Sequence, residues 1–276
     1  MPELPEVETV IRTLEKQLKD LSIKEVIINY PFIIDNVDVE TFKSGLVNNS
    51  FKEFKRIGKY LIFIMDNKIL VAHLRMEGKF YLLNTMKDYN KHVHIKFLLS
   101  NGMSLQFNDV RKFAKMYLYD KCDDLMKLDC FKNVGIDALD DRLTSEYIKS
   151  YIHKKNVPLK TFLMDQKCIA GIGNIYADEI CYKMKLHPLT KVSKLNDKDI
   201  DDLLKFIRIV MRGAIKAGGT TIRSYTSSLG ITGRFQLELK VHQRENEKCY
   251  ECGSTIKKIK VGGRGTCYCE TCQKLR

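Results

Sequence analysis

The amino-acid sequence predicts an α+β multidomain protein: an N-terminal antiparallel β-sandwich with a leading helix, then a helical domain, then a C-terminal zinc-finger β-hairpin. The first supporting observation is the hydrophobic period, which is helical at the start, two residues over about residues 23–119, and helical again beyond about residue 135. Two CxxC pairs near the end of the chain are the second observation. The third is the length of 276 residues, which exceeds one average domain of roughly 150 residues.

The leading helix is indicated by a single amphipathic stripe near the start of the chain. Pro5 suits its first turn, because the N–H that proline lacks has no partner inside a helix at that position. We therefore expect this helix to bury one face on the domain that follows. The stripe consists of Val7, Val10, Ile11, Leu14 and Leu18.

Short apolar runs, several of them alternating, predict the strands of an antiparallel sandwich or barrel. Polar or glycine-containing turns separate the runs, which favours connections between neighbouring antiparallel strands. The runs are Tyr60–Met65, Ile69–Leu74, Lys79–Leu83, Val93–Leu99, Met103–Phe107 and Lys115–Tyr119.

Three helices are predicted in the next part of the chain, over Leu143–Tyr151, Ile172–Met184 and Ile200–Ala214. The turn Gly171–Asn174 leads into the second of them. Exposed N–H groups at a helix start suit a phosphate, and a plain turn with Asn174 as the N-cap residue is the alternative. A loop rich in glycine, threonine and serine occupies residues 218–235.

The charge balance favours a polyanionic partner. The chain has 47 basic and 34 acidic residues, a formal net charge of +13 and an isoelectric point near 9.2, so its surface carries a positive potential. With 44% hydrophobic residues the composition excludes a disordered tail or a fibrous repeat. No stretch approaches the roughly 18 apolar residues of a membrane span, and the N-terminus does not resemble a signal peptide. We therefore expect an intracellular protein.

Four of the nine cysteines predict a structural zinc site. Cys249, Cys252, Cys269 and Cys272 form two CxxC turns with sixteen residues between them, and four thiolates can converge on one tetrahedral Zn²⁺. Accidental or redox-active pairs are the alternative. Because the protein fills all four positions, the ion would leave no place for water or substrate. Cys267 would only pack.

The segment between the CxxC pairs is basic. A metal-stapled hairpin bearing Lys257, Lys258, Lys260 and Arg264 could face phosphates, and glycines on both sides of Arg264 would let the backbone approach a partner. Alternatively, these basic residues form a turn that only increases the solubility of the protein.

Pro2 is the most unusual candidate in the sequence. A small second residue generally permits removal of the initiator methionine, which would expose a secondary amine beside Glu3 and Glu6. An α-amino group titrates near pH 8, so a useful fraction is a free nucleophile at neutral pH. Such an amine can add to a sugar C1′ and form an iminium. In the alternative interpretation, Pro2 and Pro5 only shape the chain before the helix.

Several independent segments, in the same order along the chain, resemble the formamidopyrimidine-DNA glycosylase family. The PELPEVE opening at residues 2–8 is the most discriminating, and the likeness extends to the last few positions. The other segments, besides the four cysteines, are Arg56–Leu61, His73–Gly78, Asp109–Phe113, Asp165–Gln166, Gly171–Glu179, Gly218–Arg223 and Gly263–Thr266.

The resemblance implies a base-excision repair enzyme that removes oxidised purines, chiefly 8-oxoguanine and formamidopyrimidines, from duplex DNA and nicks the strand by β- and δ-elimination. It implies four catalytic residues. Pro2 would form a Schiff base at C1′, Glu3 would donate a proton at the sugar, and Lys59 would bind a phosphate near the damaged nucleotide. Arg264 would hold the phosphates of the kinked strand.

The resemblance also implies a set of DNA-binding residues. The damaged base must leave the stack, and Met76, Arg111 and Phe113 match the wedge that fills the gap and bonds the partner cytosine. Ordinary core packing is the alternative for Met76 and Phe113. The full set is His92, Arg111, Lys160, Asn174, Met76, Phe113, Arg223 and Tyr225.

We expect three domains: a catalytic β-sandwich over residues 1–134, a helix-two-turn-helix domain with a lesion-capping loop over 135–235, and a zinc finger over 236–276. One structural zinc ion, damaged double-stranded DNA as the partner, and a monomeric state complete this expectation. The protein would be cytoplasmic and associated with the nucleoid when bound to DNA.

The chain departs from the family pattern at three positions. Ser224 stands where an acidic residue is frequent, Glu270 replaces a frequent proline, and His242 a frequent tyrosine. Two alternative functions remain at this point. An endonuclease VIII-like enzyme for oxidised pyrimidines is disfavoured by Leu4, since that branch usually has glycine there. A non-catalytic zinc DNA-binding protein is the other.

Overall fold

The computed structural model describes residues 1–153, 155–220 and 234–276, and the chain folds as two compact units. The first unit holds residues 1–132 and the segment that begins at Gly218. The second holds 133–217 and 234–276, so the helices predicted beyond residue 135 and the cysteine-rich tail belong to one unit. A further division of this second unit stays a prediction.

The first unit begins with helix α1, Leu4–Leu18, as the amphipathic stripe predicts. Pro5 lies in its first turn, and Glu3 is its N-cap residue. All five residues of the stripe are buried in the core of the unit.

Two four-stranded antiparallel sheets follow, with the strand orders β1-β6-β7-β5 and β2-β3-β4-β8. Their inner faces share one core with α1, and the ring centroids of Phe63 and Phe80 meet across the sheets at 5.9 Å. The predicted sandwich is therefore confirmed. The strands are β1 Ile23–Ile28, β2 Phe51–Ile57, β3 Tyr60–Met65, β4 Lys68–His73, β5 Lys79–Leu83, β6 Val93–Leu99, β7 Ser104–Asn108 and β8 Lys115–Asp120.

One element of this unit departs from the period of two expected over residues 23–119. Helix α2, Val39–Leu46, lies between β1 and β2, and Asp38 caps it by accepting a hydrogen bond from the Thr41 N–H at 2.9 Å. Only Phe42 and Leu46 are buried, one turn apart. Two apolar residues are too few to give a recognisable helical period. The start of this helix is instead set by its N-cap residue, Asp38.

The second unit is helical, with short irregular connections. Helices α3, α5 and α6 correspond to the three predicted periods, with α3 and α5 each beginning two residues later than predicted, and α4 has no counterpart among the predictions. The four are α3 Ser145–Ile152, α4 Leu159–Leu163, α5 Asn174–Lys183 and α6 Asp197–Lys216. A short parallel pair, β9 Ile136–Asp137 and β10 Ile169–Ala170, joins the chain before α3 to the turn before α5.

The tail forms the expected hairpin, from β11 Lys257–Val261 and β12 Arg264–Tyr268. Val261 pairs with Arg264, and the two residues between them, Gly262 and Gly263, have φ angles of 55° and 77°. Positive φ at both positions is the requirement of a type I′ turn, which glycine meets without strain. The turn itself therefore accounts for Gly262 and Gly263, whereas Gly265, on the other side of Arg264, lies in β12 and pairs with Lys260, so a close approach of a partner there stays a prediction.

In the part of the chain that the structure describes, none of the helices has both the length and the apolar character needed to cross a membrane.

Candidate active site and metal centre

The start of the chain is buried in the first unit. Pro2 is buried, Glu3 is 2% exposed, and the Met1 α-amino group lies where the charges of Glu3, Glu6, Lys59 and Glu77 act on it. Burial lowers the pKa of this amine below its usual value of 8.0; the carboxylates of Glu3 and Glu6 oppose the shift and Lys59 adds to it. An amine held here is in its nucleophilic free-base form at a lower pH than usual.

Glu6 connects the start of α1 to the residues that follow α6. Its Oε2 accepts the Glu3 N–H at 2.8 Å, and its Oε1 accepts the N–H and the hydroxyl of Thr220 at 2.8 and 3.1 Å. Gly219 has a φ of +76°, and a Cβ there would lie 2.8 Å from Glu6 Oε1. Only glycine satisfies both the angle and the space, so Gly219 and Glu6 fix the start of the segment predicted to cap the lesion.

Lys59 lies in the tight turn between β2 and β3, and is 5% exposed. The turn is held to α1 by Arg56, whose guanidinium donates to Glu8 Oε2 at 2.7 Å and to the Gly58 carbonyl at 3.0 Å. Burial acts to raise the pKa of Glu8, but its hydrogen bonds and ion pairs with Arg56 and Arg12 lower it overall. The ionised Glu8 therefore fixes the turn that presents Lys59.

A single buried carboxylate shapes the loop that carries two of the predicted wedge residues. Asp109 is 0% exposed; its Oδ1 accepts the Arg111 N–H at 3.0 Å and its Oδ2 accepts the N–H groups of Phe113 and Ala114 at 2.8 and 2.9 Å. Phe113 is 53% exposed, which excludes core packing for its ring. The Arg111 guanidinium lies 5.0 Å from the centre of that ring.

Two more predicted DNA-binding residues, Met76 and His92, lie in the first unit. Met76 is half-buried in the turn after β4. His92 precedes β6, and its carbonyl accepts the Asp109 N–H at 3.1 Å, so it lies beside the Asp109 loop. Next to the Met76 turn, burial lowers the pKa of His73 to about 3, and its Nδ1 accepts the Arg75 N–H at 3.0 Å. His73 is thus a neutral support of that turn.

In the second unit, the four predicted zinc ligands come together. The ligand atoms of Cys249, Cys252, Cys269 and Cys272 all lie within 4.8 Å of one another. The Sγ atoms of Cys249 and Cys272 are 3.9 Å apart, and those of Cys252 and Cys269 are 3.4 Å apart. Tetrahedral zinc with Zn–S bonds of about 2.3 Å requires S–S separations of about 3.8 Å. The site therefore fits one zinc ion held by protein ligands alone.

The structure gives Lys160 a different task from the predicted contact with DNA. Its side chain is fully buried, and its ammonium forms an ion pair with Asp178 Oδ1 at 2.7 Å and donates to the Thr266 hydroxyl at 2.7 Å and the Gly265 carbonyl at 3.1 Å. The ammonium therefore has one carboxylate that balances its charge and two hydrogen-bond acceptors in the hairpin. Lys160 thus connects α4 and α5 to the tail hairpin, rather than presenting its charge to a ligand.

The neighbouring acidic residues of α5 extend this connection. Asp178 Oδ2 lies 2.7 Å from Nδ1 of His242, and Glu179 accepts the backbone N–H groups of Lys240, Val241 and His242 at 2.9 to 3.0 Å. Burial raises the pKa of Glu179, although these N–H groups oppose the shift. His242, one of the departures from the family pattern, is therefore part of a buried polar network.

Asn174 and Arg264 lie at the same end of the second unit. Gly173 is the N-cap residue of α5, so Asn174 is the first helical residue rather than the cap. Its Nδ2 donates to the Gly265 carbonyl at 3.2 Å, while its buried Oδ1 has no hydrogen-bond partner within the described chain. Arg264 is exposed and borders a cavity of about 380 Å³ that Lys155 and Asp165 also line.

Arg223 and Tyr225 lie outside the described residues, as does most of the predicted lesion-capping loop.

Three supporting residues were not among the predicted site residues: Glu6, Asp109 and Asp178. Each is a buried carboxylate that accepts hydrogen bonds from residues that carry the site. The local sequence contains a signal for two of these three residues. Glu6 follows Glu3 at the spacing of a capping box, and Asp109 stands two residues before Arg111, the spacing of an Asx turn. Asp178 sits on a helix with no such local signal, because its partners come from distant segments.

Comparisons with known proteins cover almost the whole chain. Three family models match, in chain order: the formamidopyrimidine-DNA glycosylase N-terminal domain over residues 1–116, the formamidopyrimidine-DNA glycosylase H2TH domain over 134–226, and a zinc finger found in FPG and IleRS over 246–275.

Similar proteins of full length carry the same description. The formamidopyrimidine-DNA glycosylases of Bacillus subtilis and Oceanobacillus iheyensis are 42% and 41% identical over 274 residues, covering 99% of this chain and 99% and 98% of theirs. A Lactococcus lactis FPG mutant in complex with Fapy-dG-containing DNA matches with a TM-score of 0.92 at 36% identity, covering 99% of this chain and 100% of its own. A Lactococcus lactis Fpg complex with abasic-site DNA matches with a TM-score of 0.91 at 36% identity, covering 99% of each chain.

Proposed function

Because the chain belongs to the formamidopyrimidine-DNA glycosylase family, we propose that its reaction starts at the buried beginning of the first unit. The protein is a DNA glycosylase of base excision repair with AP-lyase activity, and its partner is damaged double-stranded DNA. It carries one structural zinc ion, held by the four cysteines of the tail. Oxidised purines are its substrates.

The nucleophile is the Pro2 nitrogen, freed by removal of Met1. One observation carries this assignment: the chain start is buried, and the amine there has a lowered pKa among Glu3, Glu6, Lys59 and Glu77. Removing one residue would give Pro2 the free amine. A secondary amine with a lowered pKa is available as a nucleophile at neutral pH.

The reaction follows from amine chemistry. The Pro2 nitrogen bonds to C1′ as the glycosidic bond breaks, the departing base takes a proton, and opening of the sugar ring leaves an iminium. The iminium acidifies the hydrogens at C2′. Loss of a C2′ proton expels the 3′ phosphate, and a second elimination expels the 5′ phosphate. Glu3, buried beside the amine, is the proton donor at the sugar.

Two cations bind phosphates of the DNA. Lys59 binds a phosphate near the damaged nucleotide; in support, its charge acts on the same amine and Glu8 holds its turn through Arg56. Arg264 binds the phosphates of the kinked strand; in support, it is exposed at the first position after the hairpin turn. A guanidinium suits this task because it can bond two phosphate oxygens at once.

Met76, Arg111 and Phe113 enter the duplex, and His92, beside the Asp109 loop, also binds DNA. The exposed ring of Phe113 can replace lost stacking, and the guanidinium beside it can bond the partner cytosine. Asn174 contacts a phosphate, supported by its position at the start of α5. Arg223 and Tyr225 contact the everted base. Lys160 supports DNA binding indirectly, by holding the hairpin.

We keep the three-part domain division at residues 134 and 235, and a cytoplasmic location with nucleoid association, as parts of this proposal. Bacterial relatives that carry the same description support the location.

Reductive trapping tests the proposal directly. The protein is mixed with a duplex that contains 8-oxoguanine opposite cytosine and reduced with borohydride, and the adduct is mapped by mass spectrometry. We expect an adduct on Pro2 of a chain that lacks Met1. Two extra residues before Pro2 should abolish the adduct, while the same two residues appended after Arg276 should leave it intact.

Other outcomes separate the rival functions. A sugar attached to a lysine would overturn the nucleophile assignment. DNA binding with no adduct on any lesion would indicate a non-catalytic zinc protein. Preferential trapping on thymine glycol would indicate an endonuclease VIII-like enzyme.

A further inference from the structure

A tyrosine of α5 contacts one of the zinc ligands. The ring of Tyr182 is buried, at 1% exposure, and its hydroxyl oxygen lies 3.4 Å from Sγ of Cys249. In the zinc-loaded protein the sulfur is a thiolate and has no proton to donate. The proton of this contact is then that of the tyrosine hydroxyl, which also has a hydrogen bond with the Glu251 carboxylate.

We propose that Tyr182 is a positioning residue of the zinc centre, whose hydroxyl orients the Cys249 thiolate and withdraws part of its negative charge. Hydrogen bonds from outside a metal's ligand set fix ligand orientation and strengthen metal binding. A thiolate that shares its charge with a donor is also a weaker nucleophile toward oxidants. Tyr182 thus slows the loss of the zinc ion and protects the Cys249 thiolate from oxidation.

Packing holds the hydroxyl in place from several sides. Tyr182 shares a small core with Val241, Ile256 and three of the tail cysteines. The ammonium of Lys185 lies 4.4 Å from the centre of the tyrosine ring and pairs with Glu251, which stands between Cys249 and Cys252. The end of α5 therefore fixes the first CxxC turn through hydrogen bonds of the Tyr182 hydroxyl with Cys249 and Glu251, through one ion pair and through apolar contacts.

The second CxxC turn is held by the residues that follow α5, with no part played by Tyr182. Gln273 accepts the Cys269 N–H at 2.8 Å and donates to the Leu186 carbonyl at 3.1 Å. Loss of the Tyr182 hydroxyl should therefore affect Cys249 and leave the fold of the tail in place.

The test compares zinc release from full-length holoprotein for wild type, Tyr182→Phe and Tyr147→Phe. Tyr147 is a matched control in the same unit, because its hydroxyl donates to a backbone carbonyl, that of Cys168, at 3.2 Å. Zinc transfer to a chromogenic chelator is followed with and without hydrogen peroxide. We expect Tyr182→Phe to release zinc about tenfold faster, the lower end of the usual effect of such partners, and Tyr147→Phe to match wild type.

A spectroscopic measurement on the cobalt-substituted proteins detects the hydrogen bond itself. Losing a donor raises the energy of the sulfur electrons, so the thiolate-to-cobalt charge-transfer band of Tyr182→Phe should move to longer wavelength. Site-specific 3-fluorotyrosine at position 182 keeps the ring and gives a stronger donor, so it should move the band to shorter wavelength. This variant differs by one atom and keeps the test valid if Tyr182→Phe does not fold.

Wild-type release rates together with unshifted bands would overturn the proposal. Equal acceleration in Tyr182→Phe and Tyr147→Phe would do so as well, because it would reflect a general loosening of the unit.

Discussion

The α-amino group at the start of the chain makes a prediction about pH. Burial lowers the pKa of the Met1 amine at this position, and we expect the same effect on the Pro2 nitrogen once Met1 is removed. Schiff-base formation should then rise at a lower pH than for a short peptide with the same Pro-Glu-Leu start. Glu77 raises the pKa of the amine held here, so Glu77→Gln should move the midpoint to still lower pH. Borohydride trapping at a series of pH values measures both, with exposed Glu25→Gln as the matched control. A midpoint no lower than that of the peptide would contradict the assignment.

Glu6 carries a second residue-scale prediction. Its carboxylate accepts three hydrogen bonds, from Glu3 and from Thr220, while buried to 2% exposure. An amide in its place would turn an NH₂ group toward N–H donors. We expect Glu6→Gln to lower the free energy of unfolding by about 1–3 kcal/mol, as for other buried partners left unsatisfied, and to slow excision.

Urea denaturation measures the first effect of the Glu6 change and single-turnover excision the second. Glu25→Gln again serves as the control, since Glu25 is exposed on β1. Full stability and full activity in Glu6→Gln would show that the contact with Thr220 has no energetic role.

At the scale of elements, the Asp109 loop holds two of the proposed wedge residues, Arg111 and Phe113, in a fixed backbone conformation. Its three backbone N–H groups converge on one carboxylate, so Asp109→Asn would set an NH₂ group against the donors of Phe113 and Ala114. We expect a loss of about 1–3 kcal/mol in stability and weaker binding of damaged duplex, measured by fluorescence anisotropy. Asp120→Asn is the control, because Asp120 forms an exposed pair with Lys68. Similar behaviour of the two variants would argue against this role of the loop.

The hairpin makes a prediction about salt. If Arg264 neutralises one phosphate, Arg264→Ala should lower affinity and reduce the slope of log K against log salt by about one unit. Lys257→Ala is a suitable comparison, because Lys257 of the hairpin pairs with Glu270 of the second CxxC turn. Titrations at several salt concentrations measure the slopes. An unchanged slope for Arg264→Ala would show that Arg264 does not contact a phosphate.

The spacing of apolar residues along the chain predicted the strands in which they alternate and the helices in which they recur every three or four positions. Strands β3 and β5 have the predicted bounds, and the stripe of α1 is buried as expected. Helix α2 was not predicted, because its boundary depends on the Asp38 cap rather than on a period. The contacts that shape the sites come from further apart: Glu6 and Thr220 are separated by 214 positions, and no local pattern reports such a pairing.

For the whole molecule, the division into two units predicts a confined response to loss of zinc. Each unit has its own apolar contacts, and only the second contains the four cysteines. Removal of zinc by a chelator, or Cys249→Ser, should increase hydrogen exchange over residues 249–272 and weaken DNA binding. Strands of the first unit should keep their protection. Exchange measured by mass spectrometry tests this, and unchanged protection of the tail would contradict a structural role for the ion.

The buried ammonium of Lys160 limits how this protein can be recombined with others. Its partners in the hairpin are a carbonyl and a hydroxyl, of Gly265 and Thr266. A chimera whose foreign tail lacked these two acceptors would leave the fully buried ammonium paired with Asp178 but short of two hydrogen bonds, which costs about 1–3 kcal/mol or more for a charged donor. A functional chimera therefore has to take α4, α5 and the cysteine-rich tail from the same parent protein.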